Sequence, residues 1–271
     1  MGRPTSPPQP SIPRCSHRTT KPGTLTPSLS HCVGEGVRSG ALMPSEWLEV
    51  HVHTRAGSAD SSITVDMLGE RAAEAGVGGV VVAEHFRVWS DWEREAFHER
   101  WAVRIYRAME ATTNLGHIIV VGAEPGTSAP GDGREVLRNA KRDGLFTILA
   151  HPFRYYFDTI HSGSRPVFTQ GATPEELAAH ELFTLVDAIE IENGGSNDRE
   201  NAMAAEVARL CGLPVTIGSD AHHVHELGRI MLPVPAIPTD ERELIDLFAS
   251  LTMADVLSPD RKPLPPLEGD K

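Results

Sequence analysis

Leu48-Glu-Val-His51-Val-His53 is the stretch from which the rest of the chain is read. Side chains two apart on a strand share a face, so both imidazoles can turn the same way and reach one cation. Alone, the pair is equally compatible with an ordinary half-exposed strand. The neighbouring residues give it weight. A helical pattern over residues 64–75 closes at Gly76, and Gly79-Val-Val-Val-Ala83 then forms an unbroken apolar run ending in Glu84-His85. A continuous run of this kind suits a strand covered on both faces. Strand, helix and strand, with polar groups at each strand end, make a βα unit, and the alternation continues along the chain.

Outward from this unit, seven strands are expected at residues 48–53, 79–83, 118–122, 146–150, 188–191, 214–218 and 229–232. Helices are expected at 64–75, a long charged stretch 91–113, from Thr173, at 198–210 and at 241–251. Thr173-Pro174-Glu175-Glu176 carries an N-cap, a proline at the first helical position and early acids. The expected fold class is α/β, a single barrel-like domain over residues 44–258. Residues 1–43, punctuated by seven prolines among serines and threonines, cannot bury enough surface to order themselves. They read as a disordered extension, with Met43 as an alternative beginning, and 259–271 reads as an irregular tail.

Composition narrows the function. With 40% hydrophobic and 23% charged residues the chain resembles an ordinary globular domain, and it has no apolar run of membrane-spanning length. A formal net charge of −12 argues against non-specific binding to duplex nucleic acid, while bound divalent cations would offset the acidity locally for a small phosphorylated substrate. Cys15, Cys32 and Cys211 show neither paired nor zinc-type spacing, which fits a reducing cytoplasm.

Polar candidates collect at the expected C-terminal strand ends, where barrel enzymes assemble their sites. They are His51 and His53 on the first strand, His85 on the second, Glu124 on the third, His151 before Pro152 on the fourth, and Asp220 with His222 on the sixth. A carboxylate after the apolar run 118–121 is costly to bury unless a cation or hydrogen bonds compensate it, as a bridging position between two metals would for Glu124. Arg55, Arg87 and Arg154 follow three of these motifs and are candidate phosphate anchors, Arg154 foremost. His98, His117 and His180 read as solvent-facing; His161, His223 and His225 read as loop residues; Cys211 reads as a buried small apolar side chain.

The motifs His51-Val-His53-Thr54, Glu84-His85, Gly122-Ala-Glu124, Ala150-His151-Pro152, Glu190-Ile-Glu192-Asn193-Gly194 and Gly218-Ser-Asp220-Ala-His222, then Leu227-Gly228, resemble those of the polymerase and histidinol phosphatase (PHP) family. The resemblance implies a distorted seven-stranded (β/α) TIM-like barrel holding two or three divalent ions, zinc, manganese or iron. It further implies that His51, His53, Glu124 and Asp220 surround one ion, that Glu124 bridges to a second held by His151, and that His85 and His222 serve a third. Glu84 stands where the family commonly has aspartate, and two further departures from the family pattern matter more. The histidine usual between the Glu124 and His151 motifs is missing from Gly133-Arg-Glu135-Val-Leu137, which predicts a weakly held second ion, and Ser58-Ala-Asp60-Ser61 leaves Asp60 as a secondary ligand candidate.

The function expected is metal-dependent hydrolysis of a phosphate ester, mono- or diester, by metal-bound hydroxide, with His85 or His222 assisting proton transfer. The alternatives are a metal hydrolase of a non-phosphate bond and a non-catalytic metal-binding or regulatory domain.

Overall fold

The computed structural model describes residues 46–127, 129, 131–158, 167–168 and 170–257. The expected extension and tail, His161, Cys15 and Cys32 lie outside them. Eight strands form one sheet: β1 (Glu46–Val52), β2 (Gly79–Glu84), β3 (Arg104–Thr113), β4 (Gly116–Val121), β5 (Phe146–Leu149), β6 (Ala188–Asn193), β7 (Val215–Gly218) and β8 (Met231–Val234). Their order is β7-β6-β5-β4-β3-β2-β1-β8. The chain after β7 returns to β1 through Ser219 N–H to Val50 O at 3.0 Å and His53 N–H to Ala221 O at 3.1 Å. Those bonds nearly close the sheet into a barrel, with β8 antiparallel on the flank of β1. The barrel expectation holds, with eight strands rather than seven.

Helices α1 (Val65–Ala75), α2 (Asp91–Trp101), α3 (Gly133–Asp143), α4 (Pro174–Ala178), α5 (Asp198–Cys211), α6 (Glu241–Ser250) and α7 (Met253–Val256) connect or follow the strands. Their ends follow local chemistry. Thr64 caps α1 by accepting from Met67 N–H, and Gly76 ends it at φ 68°. Leu68 and Ala72 of α1 and Phe97 of α2 pack on Val80 and Val82 of β2, whereas Val81 and Ala83 belong to the larger cluster with Val50 and Ala108. The strict alternation along β2 is what buries both faces. Among the described residues no helix is long and apolar enough to cross a membrane.

Two corrections reshape the site. The charged stretch expected as one helix over 91–113 is helical only to Trp101; Ala102 turns the backbone at φ 55°, and Arg104–Thr113 continues as strand β3. In addition, β4 runs antiparallel to both of its neighbours, β3 and β5. Its N-terminal end therefore lies with the C-terminal ends of the parallel strands, and its C-terminal end lies at the opposite rim.

Candidate metal centre

Glu110, on β3, is buried with its side chain 1% exposed and stands at the middle of the site. Its Oε1 is 3.4 Å from His51 Nε2, 2.8 Å from His117 Nδ1 and 3.1 Å from His151 Nε2. Its Oε2 is 3.3 Å from His53 Nε2 and 3.4 Å from His85 Nδ1. Asp220 faces it: Asp220 Oδ1 is 3.4 Å from His51 Nε2 and 3.1 Å from His53 Nε2. Asp60 completes the outer edge, with Oδ2 3.5 Å from His85 Nε2 and 3.4 Å from His222 Nε2.

Among the described residues, three overlapping groups have ligand atoms close enough to hold an ion: His51, His53, Glu110 and Asp220; Glu110, His117 and His151; and His53, His85 and His222. Glu110 belongs to the first two and His53 to the first and third. The positions come from strand ends bent out of regular geometry. His51, His151 and Asp220 have φ of 64°, 27° and 52°, in the left-handed region that costs a non-glycine residue about 1–3 kcal/mol each. The register of β1 also shifts between Glu49 and Val52, around His51.

Whether these residues suit divalent ions can be judged from the imidazoles. His51 Nε2 and His53 Nε2 are buried without a hydrogen-bond partner, an arrangement that is destabilising unless something else takes the lone pair. Their other nitrogens are fixed. His51 Nδ1 lies 2.9 Å from Glu190 Oε1, and a carboxylate can only accept, so the proton sits on Nδ1. His53 Nδ1 lies 3.2 Å from Ser58 Oγ, which donates its own proton to Glu84 Oε2 at 2.6 Å and so accepts from the ring. His222 Nδ1 donates to the Asp220 carbonyl at 2.8 Å. Each of the three rings is thereby set to present Nε2 as a lone pair, as metal-binding histidines are. The site fits the ions.

The charge balance points the same way. Burial opposes charge on His51 and His53, yet the surrounding Asp220 and Glu110 outweigh it, holding His51 well above its usual range and His53 up to about 9. Burial likewise opposes the charge of Glu110 and Asp220, and His51 and its neighbours hold both carboxyls well below theirs. A cluster of carboxylates that draws protons onto neighbouring imidazoles will accept cations in their place.

Of the residues expected from sequence, the structure brings together His51, His53, His85, His151, Asp220 and His222. It does not bring Glu124, whose carboxylate is 69% exposed and ion-paired with Arg107 at 2.7 Å. Glu124 follows the antiparallel β4 and so leaves the barrel at the far rim. The central carboxylate is Glu110, and the histidine thought missing is His117, which was expected in solvent. The available signal was the turn Asn114-Leu115-Gly116, which pairs Thr112 with His117 and places Glu110 and His117 on one hairpin. Arg154 reaches the site, its Nη2 bonding Asp220 and Asn193. Arg87 is held by Glu93 at the start of α2, and Arg55 is exposed.

Comparison with known proteins agrees with this architecture. Residues 198–256 match the family model described as PHP-associated. No curated protein gives a significant match. Among solved structures, a two-domain protein from Bacteroides vulgatus, named as containing a predicted PHP-like metal-dependent phosphoesterase, is 19% identical with a TM-score of 0.52. The match covers 74% of this chain and 62% of that one, so this chain spans less than two thirds of that relative's length. A protein of Bifidobacterium adolescentis named as a metal-dependent phosphoesterase is 15% identical over 78% of this chain and 99% of that one, with a TM-score of 0.53. An amidohydrolase of Chromobacterium violaceum, with bound sulfate and no metal, is 15% identical over 74% and 96%, with a TM-score of 0.50. The C-terminal segment thus matches the PHP-associated model, and the chain shares the barrel fold of these proteins.

Proposed function

We propose that the chain is a metal-dependent hydrolase of phosphate esters. The observation that carries this reading is Glu110, a buried carboxylate within reach of five imidazoles, those of His51, His53, His85, His117 and His151. His51, His53, Glu110 and Asp220 would hold one ion; Glu110, His117 and His151 a second; His53, His85 and His222, with Asp60 beside them, a third. Such ions neutralise the anionic oxygens of an ester and lower the pKa of water.

The chain's own groups do the rest. Glu190 and Ser58 fix the rings of His51 and His53, so the site does not reorganise as charge develops. Arg154, beside Asp220, is the guanidinium placed to contact a substrate phosphate. His85 and His222 face one another across Asp60 at the partly exposed edge, where either can pass a proton to the departing alcohol when it is not bound to an ion. A weakly held second ion would have favoured the non-catalytic alternative, and His117 beside Glu110 and His151 removes the reason to expect one. Hydrolysis of a non-phosphate bond is the second reading, favoured by the likeness to the C. violaceum amidohydrolase.

The test is turnover of aryl phosphates and of a simple amide and lactone by protein supplied with Mn or Zn, before and after chelation. Phosphate-ester turnover lost on chelation and restored by metal is the expected result. Turnover untouched by chelation, or turnover of the amide or lactone alone, would overturn it.

A further inference from the structure

Two clefts run into the metal centre and meet at His117. One, of about 570 Å³, reaches Asp60, His85 and His117 and is walled by Phe86, Met109, Thr112 and Ala129. The other, of about 310 Å³, reaches His117, His151 and Arg154 and is walled by Leu115, Tyr155, Tyr156 and Phe168. The ring of His117 lies between the two histidines, 6.2 Å from that of His85 and 5.0 Å from that of His151. The centre thus opens on both sides. Each side carries an aromatic ring at its surface: Phe86 is 79% exposed and Tyr155 is 44% exposed.

Charge distinguishes the candidate substrates, but the ions that the centre would hold can meet either one. A phosphomonoester carries close to two negative charges near pH 7, as a phosphorylated side chain does, whereas a diester carries one. Among the described residues lining the two clefts, Arg154 is the one lysine or arginine, with its Nη2 on Asp220 and Asn193 and its Nε buried without a hydrogen-bond partner. The arms therefore separate the two esters, because the two clefts offer two apolar walls. A monoester has a single organic arm and fills one of them.

Resting on the phosphoesterase reading above, we infer that the substrate is a phosphodiester bearing a planar ring on each arm, the phosphorus at the metal centre and one arm in each cleft. Planar rings stack on aromatic side chains with little regard to their identity, which suits Phe86 on one side and Tyr155 on the other.

The experiment compares bis(4-nitrophenyl) phosphate with 4-nitrophenyl phosphate as substrates of the manganese-loaded protein. In parallel, calorimetry measures binding of the uncleavable pair diphenylphosphinate and phenylphosphonate. The expected result is kcat/KM at least about tenfold higher for the diester and tighter binding of the phosphinate despite its lower charge. Phe86→Ala and Tyr155→Asn, the latter tolerating the φ of 63° at that position, should each lower the diester's kcat/KM about tenfold by removing one stacking surface. The monoester should respond to one of them at most. A monoester turned over as well as the diester, or phenylphosphonate bound more tightly, overturns this inference and leaves the phosphoesterase reading standing. Failure to cleave either ester overturns both.

Discussion

Glu110 accepts a hydrogen bond from His117 Nδ1 across the β3–β4 hairpin at 2.8 Å, so a tight turn joins two ligand candidates of the metal centre. Because Glu110 also belongs to the group formed by His51, His53 and Asp220, it couples the two ion positions. Glu110→Gln should remove bound metal and lower kcat/KM by at least about 100-fold, above the range for losing a group that merely orients a ligand. Glu124→Gln serves as the contrast. It breaks an ion pair whose carboxylate is largely exposed, worth about 0–1 kcal/mol, and should leave activity within about twofold. Metal content by mass spectrometry, kinetics and circular dichroism on both variants decide the matter; equal losses in both would show that the central carboxylate has been misassigned.

Glu190 acts one layer out. Its Oε1 holds His51 Nδ1, while its Oε2 accepts from His151 N–H at 2.9 Å and from Asn193 Nδ2 at 2.8 Å. One buried carboxylate thereby fixes a ring in the first ion group and the backbone of a residue in the second. Glu190→Gln keeps the shape but can no longer accept at both oxygens. Metal affinity, measured by competition with a chelating dye, should fall about 10–100-fold, with the loss shared by two ions rather than one. An unchanged affinity would mean that the His51 ring is held by packing alone.

Legibility in the sequence followed the direction of the strands. His51, His53, His85, His151, Asp220 and His222 each end or follow an apolar run whose exit leads to the mouth, so their placement could be read from composition and order. Glu110 could not be read that way. It lies on a strand carrying Arg104 and Arg107, directly after a helix carrying Asp91, Glu93, Arg94 and Glu95, and no glycine or proline stands between Trp101 and Arg104. Helix and strand are separated by Ala102 in a left-handed conformation, which its identity does not announce. The reversal of β4 is likewise set by partners, not by its own residues. An apolar run such as Ile118-Ile119-Val120-Val121 fits a parallel or an antiparallel neighbour equally. Both errors met at Glu124, which has the right chemistry at the wrong end of the barrel.

Arg87 was expected to meet substrate, and its place in the fold predicts a different effect. Glu93 accepts from Arg87 and from Ser90 N–H and Oγ, completing the N-terminal cap of α2. Burial works against the Glu93 charge, but the Arg87 hydrogen bond outweighs it and the carboxyl is held below its usual range. A depressed carboxyl adds stability above its unfolded value, and that stability is lost as pH falls through the folded value. Arg87→Ala should therefore lower Tm at pH 7 by an amount corresponding to about 1 kcal/mol or less for this partly exposed pair, with wild type and variant converging under acid. kcat/KM should stay within about twofold. A selective rise in KM at unchanged Tm would return Arg87 to the substrate.

Gly218 offers the sharpest test of how tightly the ligand layers are packed. It ends β7 where that strand lies against β1 and β6, and a Cβ built there would overlap Glu190 Oε1 and stand 2.7 Å from His51 Cβ and 3.0 Å from Val50 O. Two of those neighbours cannot yield cheaply, since one is backbone and another is the root of a ligand side chain. Displacing Glu190 would also break its bond to His51 Nδ1. Gly218→Ala should consequently destabilise the fold by about 1–3 kcal/mol through overpacking and weaken metal binding at the same time. Thermal unfolding with and without added metal separates the two effects, because a purely structural cost lowers both transitions equally, whereas a disturbed ligand layer also shrinks the gap between them. A variant that unfolds and binds metal as the parent does would show that β1, β6 and β7 can part at this point, and that the close approach does not hold the His51 ring in place.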